Sequence, residues 1–360
     1  MSRTPSNCRN KTIPSKIKLC PLGKYAHRQP LAYAPLRGAC DPALQLVERP
    51  EDSDILLVAH SKDLESCAEI LASHPKKRIV LLSEEPFWDT IWGADPFTRD
   101  QIYDQGGFRF PFRVLNHSTS DIFNFEYVPY FLMTEHKFAA RYAYRFQRNA
   151  RKSAADWQAA FAAPALQAAF IAEKRMNEKF AVSFPEHDTY GLCRFRSRLT
   201  EMYQTGAVLR AGLGWRKGAR RQALADWHLD KLQELDGGCR FVSALENTHQ
   251  PAYLTEKFFD AFAVGGVPLY YASDAHRVHG CTPAESWVNL FGQTPEEAVE
   301  TINGFAFDAT FYNAYTETQA RLAETFGSPR ALLADRERLC AALIAEMQSL
   351  CDSPPRNRVP

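Results

Sequence analysis

The chain has 360 residues, of which 45% are apolar and 24% charged, and its formal net charge is +1. This length allows two ordinary domains with large cores, and the balanced charge argues against a protein that mainly coats nucleic acid. The nine cysteines are scattered without a Cys-x-x-Cys pair, which indicates reduced thiols and disfavours a zinc site. No apolar stretch approaches the roughly 20 residues of a membrane span, so we expect a cytoplasmic protein without a signal peptide.

The first half of the chain is predicted to alternate strands and helices. Residues 54–58 and 79–82 are apolar runs typical of buried strands, and residues 64–73 between them have helical spacing. A strand, a helix and a strand in this order imply a parallel pair with a crossover helix. Weaker patterns predict additional short strands at residues 16–20, 114–115 and 127–132.

An Ala-, Arg- and Gln-rich region at residues 137–178 is predicted to be helical and to join two domains. Beyond it, the patterns predict strands at 179–184, 241–245 and 267–271, and helices at 192–203, 222–235, 256–264, 295–304 and 330–350. We therefore predict an α/β protein with two Rossmann-like domains. The predicted boundaries are an N-terminal domain at 1–150, a helical linker at 151–178, a C-terminal domain at 179–350 and a loose tail at 351–360. In such sheets, ligands bind at the carboxyl ends of the strands.

Residues 241–271 combine an apolar strand, a polar loop, a capped helix and a second strand. Thr255 is a suitable N-cap, so Glu256 and Lys257 are predicted to occupy the first helical turn. Free backbone N–H groups and the positive end of the helix dipole favour an anion such as phosphate there. Lys257 adds a full positive charge and Glu256 offers acceptors for hydroxyl groups, which suits a nucleotide with a diphosphate and a ribose. The alternative is an ordinary charge pair on the surface of a helix.

The same stretch resembles the donor-binding motif of the alpha-1,3/4-fucosyltransferases. The shared elements are, in chain order, Glu246-Asn247, Thr255-Glu256-Lys257 and Gly266-Val267-Pro268. The resemblance is strong over residues 240–272 and weaker over 78–90 and 180–214. That family takes fucose from GDP-fucose and has the GT-B fold, in which two Rossmann-like domains face each other across a cleft. The resemblance implies that Lys257 holds the diphosphate and Glu256 the ribose, without a metal.

The GT-B resemblance also implies roles for whole segments. The N-terminal domain would bind the acceptor and the C-terminal domain the nucleotide sugar. The last helix, predicted at residues 330–350, would cross back onto the N-terminal domain. The chain looks like a bacterial-type member of the family.

Glu84 and Glu85 directly follow the predicted strand at 79–82, at a carboxyl end that faces a cleft. An inverting sugar transfer needs a carboxylate near the acceptor hydroxyl, which gives up its proton as its oxygen attacks. The family has a similar pattern here: a Glu, one small or polar residue, then Pro. Alignment on Pro86 makes Glu84 the base and Glu85 the intervening residue, and a shift of one residue would exchange them. Alternatively, both are solvated loop carboxylates, or they cap a helix that begins near Pro86.

Arg194, Arg196 and Arg198 cluster on the predicted helix at 192–203. Family members carry an arginine in this region that neutralises phosphate, and the planar guanidinium suits phosphate by its bidentate geometry. We rank Arg194 first and Arg196 second for this role. The alternative is a solvated basic face of the helix.

Three other residues of the donor motif are candidates for donor binding. Asn247 and Tyr253 could contact the phosphate, the sugar or the base, or else Asn247 shapes a turn and Tyr253 packs. Glu246 precedes Asn247 at the end of the predicted strand.

The expected function is the inverting transfer of fucose from GDP-fucose to a hydroxyl of a bacterial surface glycan, of the lipopolysaccharide or O-antigen type. We expect no metal or other cofactor, no nucleic-acid partner, and peripheral contact with the cytoplasmic face of the inner membrane. Two alternatives stay open. One is a glycosyltransferase with another donor, such as a UDP-hexose, in lipopolysaccharide core synthesis; the other is a nucleotide- or glycan-binding protein without catalysis.

Overall fold

The structure is a computed structural model that describes residues 16–215 and 223–352. Its strands are β1 (Ile17–Pro21), β2 (Leu44–Leu46), β3 (Ile55–Val58), β4 (Arg78–Leu82), β5 (Asp100–Gln105), β6 (Phe108–Leu115), β7 (Leu166–Ile171), β8 (Ser183–Phe184), β9 (Thr189–Gly191), β10 (Val208–Ala211), β11 (Cys239–Ser243), β12 (Thr248–His249), β13 (Val267–Tyr270) and β14 (Val288–Asn289). Its α-helices are α1 (Ala34–Cys40), α2 (Ser61–Ser66), α3 (Ala68–Ser73), α4 (Tyr130–Met133), α5 (His136–Asn149), α6 (Ala154–Ala162), α7 (Cys193–Met202), α8 (Trp227–Leu235), α9 (Glu256–Ala263), α10 (Val278–Cys281), α11 (Pro295–Gly304), α12 (Ala309–Gly327) and α13 (Pro329–Asp352).

The first half of the chain forms a six-stranded sheet in the order β2-β1-β3-β4-β6-β5. All neighbouring strands are parallel except β5 and β6. The central strands are apolar on both faces because both faces are covered: Leu57 and Val80 enter one core cluster, whereas Leu56 and Leu81 enter another. The parallel arrangement brings the loops after β1, β3, β4 and β6 to one edge of the sheet.

The second half forms a five-stranded parallel sheet in the order β10-β7-β11-β13-β14. A small antiparallel sheet, β12-β9-β8, is built from the loops that follow β7 and β11. The direction of strand addition reverses at β7, so a crevice is expected beside the ends of β7 and β11. One largely parallel sheet and one fully parallel sheet, each flanked by helices, confirm the predicted class, an α/β protein of GT-B type with two Rossmann-like units.

Helix α13 follows the second sheet in sequence but packs against the first half of the chain. Buried Asp335 accepts hydrogen bonds from the backbone N–H groups of residues 126, 127 and 128 at 2.9, 2.8 and 2.8 Å. Near the end of the helix, Glu346 forms an ion pair with Arg99, and Arg78 donates from Nε to the Leu350 carbonyl at 2.9 Å. The expectation that the last helix crosses back is therefore confirmed.

We expect Asp335→Ala to lower the free energy of unfolding by about 2–4 kcal/mol, because three backbone N–H groups lose their acceptor and the bond to Val128 is fully buried. Chemical denaturation followed by circular dichroism would measure the loss. Asp274→Ala, at an exposed carboxylate, is the control and should shift stability by less than about 0.5 kcal/mol. Equal stability of the two variants would contradict the tie between α13 and the first half.

Some secondary-structure predictions differ from the structure. The strand predicted at 179–184 is limited to β8, because Glu178–Phe180 form a 3-10 helix. Residues 127–132 were predicted as a strand, but helix α4 begins within them. The helical prediction for 137–178 holds for α5 and α6 and is wrong at β7, which lies inside the second sheet. Of the predicted tail, residues 351 and 352 end α13, and the rest lies outside the described residues. The domain boundaries themselves stay predictions.

The thiols of Cys40 and Cys340 are joined as a disulfide between α1 and α13. This differs from the expectation that all cysteines are reduced. Their Cα atoms are 5.4 Å apart because the two helices pack together, a spacing that suits a disulfide. Because the two cysteines are 300 positions apart in sequence, no local sequence pattern indicates that they form a disulfide.

Candidate active site

A small pocket lies between the two halves of the chain, at the carboxyl edge of the first sheet. Its lining residues are Glu84, Glu85, His117, Tyr130, Phe131, Ala252, Tyr253, Leu254 and Thr255. The first five come from loops after β4 and β6 and from the start of α4. The other four belong to the predicted donor motif, so the structure brings both predicted regions to one site.

Glu84 lies in the pocket wall, in the loop directly after β4. Its Oε2 accepts hydrogen bonds from the hydroxyls of Tyr130 at 2.7 Å and Tyr33 at 3.0 Å. Burial raises the pKa of Glu84 to about 7, although the bond from Tyr130 opposes that rise. A carboxylate with a pKa near neutrality is well suited to accept a proton and later release it. The alternative of a fully solvated loop carboxylate does not describe Glu84.

Glu85 connects the two halves. Its Oε2 accepts a hydrogen bond from Asn247 Nδ2 at 3.0 Å and another from the Tyr253 hydroxyl at 3.4 Å. The other amide atom of Asn247, Oδ1, is buried without a hydrogen-bond partner among the described residues. The loop that carries Glu84 is therefore held directly against the predicted donor motif.

Helix α9 begins as the sequence predicts, with Thr255 as N-cap and Glu256 and Lys257 in the first turn. Glu246, in the loop after β11, organises this turn. Its Oε1 accepts from the Thr255 backbone N–H at 2.9 Å and from the Thr255 hydroxyl at 2.7 Å. Its Oε2 accepts from Lys257 Nζ at 2.9 Å. Glu246 therefore supports both the cap and the lysine.

The first turn of α9 is enclosed rather than a surface charge pair. Burial works to lower the pKa of Lys257, but the carboxylates of Glu246 and Glu256 outweigh it, and the pKa lies above its usual value. Lys257 therefore remains charged. Glu256 is buried, and its Oε2 lacks a hydrogen-bond partner among the described residues. An unpaired buried acceptor beside a fixed cation suits a ligand that carries both hydroxyls and negative charge.

The structure places the two arginines in different surroundings, and their ranking for phosphate binding stays a prediction. Arg196 is buried and donates to the Leu245 carbonyl at 3.5 Å, beside the end of β11, and its Nε lacks a partner in the described part of the chain. Arg194 instead pairs with Glu178. Residues two positions apart on a helix point in different directions, and here the face of α7 that meets the donor loop carries Arg196.

Sequence reasoning missed Tyr33, Tyr130 and His117. Tyr33 is 51 positions from Glu84 and Tyr130 is 46 positions away, so only the fold brings these hydroxyls to the carboxylate. His117 follows β6, and its Nε2 lies 3.0 Å from the Glu84 carbonyl oxygen. The position of His117 just after β6 could have indicated a place in the site, because the loops at the carboxyl edge of a parallel sheet lie close together.

Neither a metal centre nor a membrane helix is found in residues 16–215 and 223–352. These residues contain no cluster of three or more His, Cys, Asp or Glu side chains arranged to hold a metal. Each described helix is too short or too polar to span a lipid bilayer.

Comparison with known proteins identifies the second half. Residues 215–349 match the family described as Glycosyltransferase family 10 (fucosyltransferase) C-term, and this match includes the donor motif at residues 240–272. The resemblance seen in the donor motif is thereby confirmed.

A curated relative, Alpha-(1,3)-fucosyltransferase B of Drosophila melanogaster, is 33% identical over 81 residues. The match covers 22% of this chain and 18% of the relative, so the chain spans about a fifth of that protein.

Solved structures were also compared. Crystal structures of an alpha1,3-fucosyltransferase alone, with GDP-fucose and with GDP align with TM-scores of 0.41, 0.40 and 0.39. Their sequence identities to this chain are 16%, 16% and 14%. The alignments cover 89%, 98% and 94% of this chain and 83%, 94% and 94% of the solved chains.

Proposed function

We propose that the protein is an inverting glycosyltransferase that transfers fucose from GDP-fucose to a hydroxyl of an acceptor glycan. The observation that carries this proposal is the shared pocket, which is lined by Glu84 together with residues 252–255 of the donor motif. The family of residues 215–349 supports fucose as the transferred sugar.

In the proposed reaction, the acceptor hydroxyl donates its proton to the Glu84 carboxylate while its oxygen attacks the anomeric carbon of fucose. The new carbon–oxygen bond forms on the face opposite the leaving group. The bond between the anomeric carbon and the β-phosphate oxygen breaks, and its electron pair leaves with GDP. Glu84 ends the step as a neutral acid and later loses its proton to solvent. One base and one displacement invert the anomeric centre.

Lys257 is suited to stabilise the diphosphate of the leaving group. An ammonium group has three N–H donors. Two of them are accounted for by Glu246 Oε2 and Thr255 Oγ1, each 2.9 Å from Nζ. Glu256 Oε1 lies 3.4 Å from the same Nζ, so a phosphate oxygen at the N-terminal end of α9 would share the third donor with Glu256 or displace it. Fixed positive charge at this position favours the build-up of negative charge on GDP during bond cleavage.

A panel of nucleotide sugars tests the proposal. Purified protein would be incubated with GDP-fucose, GDP-mannose, UDP-glucose and UDP-galactose, and release of nucleoside diphosphate measured with and without acceptor glycans. We expect GDP-fucose to be consumed fastest. Faster turnover of a UDP-hexose would overturn the choice of donor and favour the second glycosyltransferase hypothesis. Tight GDP binding without turnover of any donor would favour a non-catalytic binding protein.

Arg196 and Arg194 form a matched pair for the phosphate contact. Arg196→Ala is expected to weaken GDP binding about 10- to 100-fold, because a charge-assisted hydrogen bond to phosphate is lost. Arg194→Ala should change the affinity by no more than about twofold, since its guanidinium pairs with Glu178. Isothermal titration calorimetry with GDP would measure both. The opposite pattern would support the ranking made from the sequence, with Arg194 first.

The acceptor that we propose is a bacterial surface glycan of the lipopolysaccharide or O-antigen type, modified at the cytoplasmic face of the inner membrane. This rests on the sequence-based expectation of a bacterial-type enzyme. Transfer of radiolabelled fucose to purified lipopolysaccharide, compared with transfer to free oligosaccharides, tests the acceptor. Co-sedimentation with anionic vesicles tests the peripheral membrane contact.

A further inference from the structure

Two tyrosine hydroxyls from separate parts of the first half converge on Glu84. Tyr130 is buried at the start of α4, and Tyr33 lies directly before α1. Both lie within hydrogen-bond distance of Oε2, at 2.7 and 3.0 Å, whereas among the described residues Oε1 has a hydrogen-bond contact with Tyr33 alone, at 3.2 Å. Oε2 is thus anchored twice, and Oε1 keeps free acceptor capacity.

We propose that Tyr33 and Tyr130 are positioning residues that hold the Glu84 carboxylate toward the pocket and stabilise its ionised form, leaving Oε1 to take the acceptor proton. This inference rests on the proposed function and deepens it. A glutamate side chain has three rotatable bonds, so two donors on one oxygen fix its direction. Hydrogen bonds that are donated to a carboxylate favour its charged state.

The other groups around the carboxylate agree with this assignment. The titratable and charged side chains that face Glu84 or its two tyrosines are Arg28, Glu85, Asp89, His117, Glu135 and Tyr253. Burial lowers the pKa of His117 to about 3, so this ring is neutral. Burial and the nearby Glu84 charge raise the pKa values of Tyr33 and Tyr130 above their usual range, so both remain donors at working pH. Arg28 is the cation of the group, and it is already paired with Asp89.

The direction of the expected shift in the pH profile follows from the role of the two tyrosines as hydrogen-bond donors. Glu84 can act as a base only in its ionised form, so activity falls as the pH drops through its pKa. Removing one tyrosine hydroxyl destabilises the ionised form of Glu84 and raises its pKa. The pH at which activity falls therefore becomes higher. A shift of about one pH unit corresponds to about a tenfold loss of kcat/KM on the acid side, with a much smaller loss at pH 9.

The experiment compares Tyr130→Phe and Tyr33→Phe with wild type and with Tyr144→Phe, whose side chain is 71% exposed on α5. The first readout is a carbon-13 NMR titration of glutamate carboxyl groups, with the Glu84 signal assigned by its absence in Glu84→Gln. The second readout is the pH profile of kcat/KM for GDP-fucose turnover, with GDP affinity measured in parallel.

We expect both tyrosine variants to titrate Glu84 at higher pH by about one unit, while GDP affinity and the Tyr144→Phe profile stay as in wild type. An unchanged Glu84 midpoint in both folded variants would overturn the inference, even if turnover fell. A wild-type protein that consumes no nucleotide sugar would refute the proposed function instead. The NMR titration does not depend on turnover, so the two failures are distinguishable.

Discussion

Glu84→Gln is expected to lower turnover of GDP-fucose by about 10²- to 10⁴-fold, the usual contribution of a general base. The amide accepts the Tyr33 and Tyr130 hydrogen bonds but does not take a proton, so the pocket keeps its shape and loses its base. GDP affinity should be unchanged, because the donor motif is untouched. Initial-rate assays at pH 8 and calorimetry with GDP would measure the two quantities.

A measurement of stability distinguishes a loss of catalysis in Glu84→Gln from misfolding of the variant. The pKa of Glu84, about 7 in the folded state, lies above the usual value near 4.3. Ionisation of this group therefore disfavours the folded state, and this destabilisation grows as the pH rises from about 4 to about 7. Glu84→Gln removes that effect and should not lower the melting temperature at pH 8.

Glu85→Gln is the matched control for Glu84→Gln. Its side chain bridges to Asn247 and Tyr253, and an amide oxygen can keep both bonds. We expect a loss of turnover below about tenfold. Should Glu85→Gln be inactive and Glu84→Gln retain wild-type turnover, the one-residue shift in the sequence alignment would be correct and Glu85 would be the base.

Lys257→Ala is expected to weaken GDP binding about 10- to 100-fold, because a charged donor to the diphosphate is lost. The effect on kcat should be larger than on donor affinity, since charge on the leaving group grows in the transition state. Calorimetry with GDP and single-turnover rates with GDP-fucose would separate the two effects.

The lysine also neutralises a buried carboxylate, so the experiment needs a second variant. Removing Lys257 leaves Glu246 buried without its ion-pair partner, which commonly costs about 3–5 kcal/mol of stability. The double variant Lys257→Ala/Glu246→Gln removes one unpaired charge and leaves Glu256, which lies 3.4 Å from Nζ in the wild type, so it should recover part of the melting temperature without recovering GDP affinity. Lys76→Ala, at an exposed lysine in the first half, is the control. Wild-type GDP affinity in a folded Lys257→Ala variant would contradict a phosphate site at α9.

Much of the architecture was predictable because its signals are local. The apolar runs at 54–58 and 79–82 are buried strands, and Thr255 caps α9 as its side-chain chemistry favours. Strand β7 was missed because Ala168 and Ala169 have high helix propensity, and its place between β10 and β11 overrides that preference. Helix α12 was missed because its aromatic and threonine residues weaken the local helical signal.

The site was predictable only in part. The donor motif supplied Glu246, Asn247, Tyr253, Glu256 and Lys257, and the structure places all five in or beside one pocket. The arginine ranking depended on which face of α7 is buried, and tertiary packing decides that. The tyrosines that hold the base are far from it in sequence, so no spacing could reveal them.

Helix α13 has a consequence for how the protein is made. Helix α13 contacts three parts of the first half: the backbone groups at 126–128, the Arg99 side chain and the apolar face of α1. Most of the second half lies between them and α13 in sequence. During synthesis, these surfaces of the first sheet and its flanking elements therefore stay exposed until the residues of α13 have emerged from the ribosome. We expect nascent chains arrested before position 329 to be degraded or held by chaperones, although every strand of the first sheet has already been translated.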